Sequence, residues 1–211
     1  MRVRPVSPEA LAEELADRLA GHSAPGGFIR VAVDGSPAAE PDAFADALID
    51  PLRVRGRPAV RVSTADFLRP ASVRLEFGRT DPDAFYDGWV DEAGLRREVL
   101  DPTAPGGSGR VITRLWDAAT DRAAREPYVT LPPGAVVIVS GALLLGGVLP
   151  FDFTVHLDVS PAALARRIPD DLRWTIPAYA RYRDEVDPTS LADLVVRVDD
   201  LKHPAVVEDG F

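Results

Sequence analysis

The stretch VAVDGSPAAEPDAFADAL, residues 31–48, constrains the fold more than any other part of the chain. Val31, Ala32 and Val33 make a short apolar run, the mark of a strand covered on both faces. Asp34-Gly35 ends that strand with a turn signal. Pro41 and Asp42 then suit the first turn of a helix: proline's missing N–H costs nothing there, and an acid complements the positive end of the helix dipole. A buried strand, a turn opened by glycine and a helix form the building unit of a parallel α/β sheet.

The same alternation recurs along the chain. Residues 7–19 predict a helix with Ser7 as N-cap and Pro8 at its first position, followed by a loop at 21–27. Strands are expected at 28–33, 59–63, 136–139, 153–159 and 194–198. Helices are expected at 41–54, bent at Pro51, and at 162–168 after Ser160-Pro161. Short apolar strands alternating with helices predict an α/β fold with a doubly wound parallel sheet. A chain of 211 residues fits one domain spanning 1–211. Residues 69–133 break the rhythm with Pro, Gly, Asp and aromatics, including DPTAPGGSG. So long an insertion usually carries function.

The bulk composition removes several function classes. A net charge of −9 argues against nucleic acid or an anionic membrane as partner. No apolar run approaches the roughly 20 residues of a membrane span, and MRVRPVSPEA lacks the apolar centre of a signal peptide, so a cytoplasmic protein is expected. With no cysteine there is no disulfide framework and no thiolate chemistry. His22, His156 and His203 do not pair at metal-ligand spacing, so no metal site is expected. Asp199, Asp200, Glu208 and Asp209 read as a solvated C-terminal face. Ser140 follows a buried strand as a nucleophile would, but VSGAL lacks the GxSxG elbow.

In order, VAVDG, FADAL, ADFLRP (residues 65–70), GRTDPDAFY, LRREVLDPTAPGG, PPGAVVIVSGALLL and FDFTVHLDVS run through nearly the whole chain. In that order they resemble the uridine kinase-like branch of the P-loop nucleoside kinases, as found in actinobacteria. The resemblance implies a P-loop NTPase fold, Mg-ATP as phosphoryl donor and a nucleoside-like hydroxyl acceptor.

The residues that would grip phosphate are replaced. A working loop reads GxxxxGK[ST]: its backbone N–H groups cradle the phosphates, lysine bridges two of them and the hydroxyl holds magnesium. From Gly35 this chain reads GSPAAEPD, so Glu40 stands at the second glycine, Pro41 at the lysine and Asp42 at the hydroxyl position. A unit charge at about 5 Å, with an effective dielectric of about 20, interacts by roughly 3 kcal/mol, so exchanging attraction for repulsion is severe. The single lysine, Lys202, lies near the C-terminus. By resemblance, the carboxylate that would deprotonate the acceptor falls at Ala65, with Asp66 next to it as a weak catalytic candidate. The acidic residue after the apolar strand falls at Ser140, and Pro169 and Asp170 replace lid arginines. Arg181 or Arg183 swinging in would be the remaining rescue.

On the acceptor side, the resemblance places Phe67, Arg69, Arg74, Arg79, Phe85, Tyr86 and Asp91 in or near the ligand pocket. The plainer reading of the aromatics is core and lid packing, and of the arginines, surface ion pairs. The leading expectation is a pseudokinase with a degenerate Walker A motif that needs no cofactor and binds a small polar or nucleoside-like ligand, a second copy or a protein partner. An active nucleoside kinase using Mg-ATP by a non-standard site, an ATP-independent enzyme using the acceptor pocket, and a purely structural or regulatory module stay open.

Overall fold

The computed structural model describes residues 2–22 and 27–208. Four residues of the expected 21–27 loop, and Asp209 of the acidic C-terminal run, lie outside the described residues. Strands β1 (Arg2–Pro5), β2 (Ile29–Asp34), β3 (Ala59–Ser63), β4 (Val136–Gly141), β5 (Phe153–Asp158), β6 (Leu194–Arg197) and β7 (Ala205–Glu208) form one sheet in the order β1-β7-β6-β5-β2-β4-β3. The five strands from β3 to β6 are parallel, with β2 in the middle, flanked by β4 and β5. That central place explains its continuous apolar run: every residue of β2 is buried.

Each strand expected from sequence is present within a residue or two at its ends. The parallel expectation holds for these five. The sequence reading missed the edge, where β7 pairs antiparallel with β6 and β1 antiparallel with β7. These outer strands are short and partly exposed, so neither carries the apolar run by which the inner strands were found.

Helix α1 (Pro8–Ala20) starts as its sequence dictates, with Ser7 Oγ accepting from Ala10 N–H at 3.2 Å. It buries Leu11, Leu15 and Leu19, spaced four apart, against one face of the sheet. The expected helix 41–54 is two helices, α2 (Pro41–Ala47) and α3 (Ile49–Val54). The break falls at Leu48, not at Pro51, because a proline collides with the carbonyl four residues before it. For Pro51 that carbonyl is Ala47's, the last residue of α2. Helix α4 (Pro82–Gly88) lies in the 69–133 insertion, α5 (Pro161–Arg167) follows β5, and α6 (Ile176–Glu185) was not anticipated. Two apolar cores result, one on each face of the sheet. Among the described residues no helix is long and apolar enough to cross a membrane.

An ion pair between buried Arg30 and exposed Asp152 braces the sheet's other end. Arg30 donates from Nε and Nη2 to the two carboxylate oxygens of Asp152 at 2.9 and 2.7 Å. Partial burial pushes the Asp152 carboxyl up, but the bonds from Arg30 outweigh it and hold the group below the usual carboxylate range.

Candidate functional site

The C-terminal ends of the parallel strands hold the chemistry, as open α/β sheets arrange. The strand β2 delivers Asp34 to that edge, and the chain turns at Gly35, whose N–H donates to Gly141 O at 2.9 Å. Glycine is needed here for space: a Cβ would sit 3.0 Å from Leu157 Cβ and 3.1 Å from Ala39 Cβ. Residues Pro37–Ala39 then close a 3₁₀ turn, and Glu40 adopts left-handed backbone (φ 52°, ψ 53°) before α2 begins.

The turn uses up its own donors. Ala39 N–H donates to Ser36 O and Glu40 N–H to Pro37 O, while Pro37 and Pro41 have no N–H. With Gly35 also engaged, five of the eight positions 35–42 have no backbone donor to offer an anion. The Arg167 guanidinium reaches back from α5 to Ala38 O and Val198 O, pinning the turn from behind.

Asp42 points from α2 toward the ends of two strands. Ser63 Oγ donates to Asp42 Oδ2 at 2.9 Å, Ser140 Oγ to Asp42 Oδ1 at 2.5 Å, and Arg61 lies 3.6 Å away. Its carboxylate thus ties α2 to β3 and β4. Asp34 is fully buried and more tightly held: Leu144 N–H donates to Oδ1 at 2.9 Å, and the Tyr182 hydroxyl to Oδ2 at 3.1 Å. His156 Nδ1 stands 2.7 Å from the same Oδ2, and Tyr182 in turn accepts from Leu145 N–H. Burial, then the charge of Asp34, pushes the Tyr182 hydroxyl up, so it stays a neutral donor.

Between α2, β3 and β4 on one side and the 69–133 insertion on the other lies a cavity of about 560 Å³. Residues 67–69 and 89–91 frame it: Asp91 N–H donates to Phe67 O, Arg69 N–H to Trp89 O, and Leu68 bridges Val90. The far wall is aromatic. Phe85 meets Trp89, Trp174 and Tyr179 edge-to-face with centroids 5.3, 5.7 and 5.8 Å apart. Gly141 lets β4 pass close to the cavity floor, since a Cβ there would overlap the Thr64 hydroxyl.

The structure scatters the residues singled out from sequence. Glu40, Pro41, Asp42, Gly35 and Phe85 all line this cavity. Arg69 and Tyr86 line a neighbouring cleft that shares Phe85 and Trp89 with it. Phe67 is fully buried in the apolar core, where side-chain size explains it. Arg74 is buried against the carbonyl of Arg69 at 2.6 Å, over the ring of Trp89. Arg79 is exposed, and Asp91 caps a helical turn by accepting from Gly94 N–H at 2.9 Å. Asp66 belongs to a 3₁₀ turn, Thr64–Phe67, rather than to a strand. It turns away from the cavity to Arg114, 3.1 Å off, while Ala65 faces in. Burial pushes the Asp66 carboxyl up, and Arg114 and Arg61 only partly oppose this.

The candidate rescuers are occupied elsewhere. Arg181 pairs with Glu185, Asp87 and Asp83 and lies over Tyr86, and Arg183 donates to Val159 O. Among the described residues no group of three or more His, Asp or Glu side chains is arranged to hold a metal ion. Sequence reasoning missed Trp89, Tyr179 and Leu143 as cavity walls and missed the Asp34–His156–Tyr182 cluster. The alternation of His156 with apolar neighbours was the one available hint.

Comparison with solved structures places this architecture. The chain is similar to a possible uridine kinase from Bacillus stearothermophilus, at 19% identity over 87% of this chain and 96% of that one, with a TM-score of 0.70. It is also similar to a protein proposed to be a fructose transport system kinase from Silicibacter sp. TM1040, at 24% identity over 84% and 89% of the two chains, with a TM-score of 0.58. No protein-family profile matches the chain, and no curated protein matches it significantly. The fold is that of the P-loop kinases, in agreement with the resemblance drawn from the sequence motifs.

Proposed function

We propose that this chain is a uridine kinase-like P-loop protein that has lost ATP-dependent phosphoryl transfer and keeps a ligand cavity beside the old loop. The observation that carries the reading is the chemistry of residues 35–42. Three of their N–H groups are spent on backbone carbonyls and two are absent. A triphosphate brought to this turn would meet Glu40 and Asp42 rather than a lysine, a repulsion of roughly 3 kcal/mol for each charge at about 5 Å.

Magnesium fares no better. The hydroxyl and the carboxylate that would share it by resemblance have exchanged places as Asp42 and Ser140, and Asp42 is already taken up by Ser140, Ser63 and Arg61. The residues present therefore do not fit Mg-ATP. What the site offers instead is an aromatic-walled volume of a size to take a small ligand.

Calorimetric titration with Mg-ATP, alone and with a nucleoside panel, tests the reading together with a phosphoryl-transfer assay. The expected result is no saturable nucleotide binding and no phosphorylated product. Tight Mg-ATP binding with turnover would overturn it.

A further inference from the structure

The cavity differs from a phosphate site in its walls as well as its loop. Leu68, Phe85, Trp89, Val90, Leu143 and Tyr179 make most of it apolar or aromatic. Among the described residues that line it, the charged ones are Glu40 and Asp42, and none is arginine or lysine. The two carboxylates are not equivalent. Asp42 is engaged by two serines and backed by Arg61. Glu40 is exposed and caps nothing, and among the described residues it is in no ion pair.

With carboxylates as the charges lining the cavity, their sign selects what enters. An anion is repelled. A neutral apolar molecule would cover the Glu40 charge without pairing it. A cation pairs with Glu40, and an apolar body attached to it is covered by the aromatic residues that line the same cavity. The volume, about 560 Å³, is of the size that takes a small organic molecule.

The geometry points to a small amphiphilic cation as the ligand: an ammonium or guanidinium group on an apolar body. Its charge sits at Glu40 and its body lies among Phe85, Trp89 and Tyr179. This deepens the reading above, and rests on it in that the loop must be free of phosphate.

Three probes of one body and different charge test the assignment: 2-phenylethylammonium, 2-phenylethanol and 3-phenylpropionate. Each is titrated into the full chain by calorimetry and by tryptophan fluorescence, since Trp89 is on the wall. The ammonium binds tightest and the carboxylate weakest. Glu40→Gln weakens the ammonium about tenfold, about 1.4 kcal/mol, and leaves the alcohol unchanged. Ala65→Trp, which fills the cavity, weakens all three. Glu40 is exposed, so E40Q folds, and its thermal unfolding verifies that.

Equal affinity for alcohol and ammonium, indifference of the ammonium to E40Q, or no binding by any probe would overturn the assignment. A parallel Mg-ATP titration separates the two readings. Nucleotide binding sinks the phosphate-free reading, whereas the charge order and its response to E40Q decide the cation.

Discussion

Two carboxylates bracket the turn after β2, and they lead opposite lives. Asp34 is buried, with both oxygens engaged by Leu144, Tyr182 and His156. Glu40, six residues on, is exposed, caps nothing and sits in a backbone conformation that favours glycine. A buried polar group must be paired or the fold suffers. Asp34 therefore belongs to the architecture, joining β2 to β5, α6 and the segment after β4. Among the described residues Glu40 has no side-chain partner, and it lines the cavity.

The largest effect expected from breaking this contrast is at Asp34. Asp34→Ala strands the Leu144 N–H, the Tyr182 hydroxyl and His156, and each stranded buried group costs about 1–3 kcal/mol. The three share one acceptor, so the costs are not additive, and a loss of about 3–5 kcal/mol is expected in urea denaturation. A loss below about 1 kcal/mol would show that the cluster does not brace the sheet.

Glu40→Gly goes the other way. Left-handed backbone costs a non-glycine residue about 1–2 kcal/mol, and glycine's extra freedom in the unfolded chain returns about 0.5–1 kcal/mol. A net gain of roughly 0.5–1 kcal/mol in thermal unfolding is expected. A loss instead would reveal a structural partner for Glu40 and blur the contrast with Asp34.

Asp66 gives the smallest effect and a sign that depends on pH. Its folded-state pKa is raised, by burial first, so the folded state favours its protonated form. Its favourable contribution is present at low pH and lost as pH rises through the folded pKa. Asp66→Asn should raise the melting temperature slightly at neutral pH, with the difference shrinking as the pH falls below the carboxylate range. The side chain is a third exposed, so solvent screening keeps the gain below that of Glu40→Gly. Melting curves from acid to neutral pH check it; a variant less stable at neutral pH would mean that the pairing with Arg114 outweighs burial.

Where the chain repeats an apolar strand, the sequence was enough to locate it. The covered strands β2 and β4 announced themselves because burial on both faces forces apolar, largely β-branched runs. The outer strands β1 and β7 did not, since their partial exposure lets Arg2, Arg4 and Glu208 interrupt the pattern. Likewise Pro51 was legible as a breaker, but its ring works against the Ala47 carbonyl, so the break falls at Leu48. The charges and missing N–H groups of Glu40-Pro41-Asp42 were readable because residue type alone decides them. The cavity was not, because an aromatic residue fills a core or lines a pocket with the same side chain. Phe67 and Phe85 went to opposite fates, decided by contacts with residues as distant as Tyr179.

The short bond between Asp42 and Ser140 also governs how such a site can change over generations. By resemblance the hydroxyl belongs on the loop and the carboxylate on the strand; here Asp42 stands on the loop and Ser140 on the strand, 2.5 Å apart. Reverting the strand first, by Ser140→Asp, would press two carboxylates together, a like-charge contact that strongly opposes their both being ionised. Reverting the loop first, by Asp42→Ser, leaves two hydroxyls that still hydrogen-bond. Double substitution of this pair therefore has one tolerated order, through the uncharged pair.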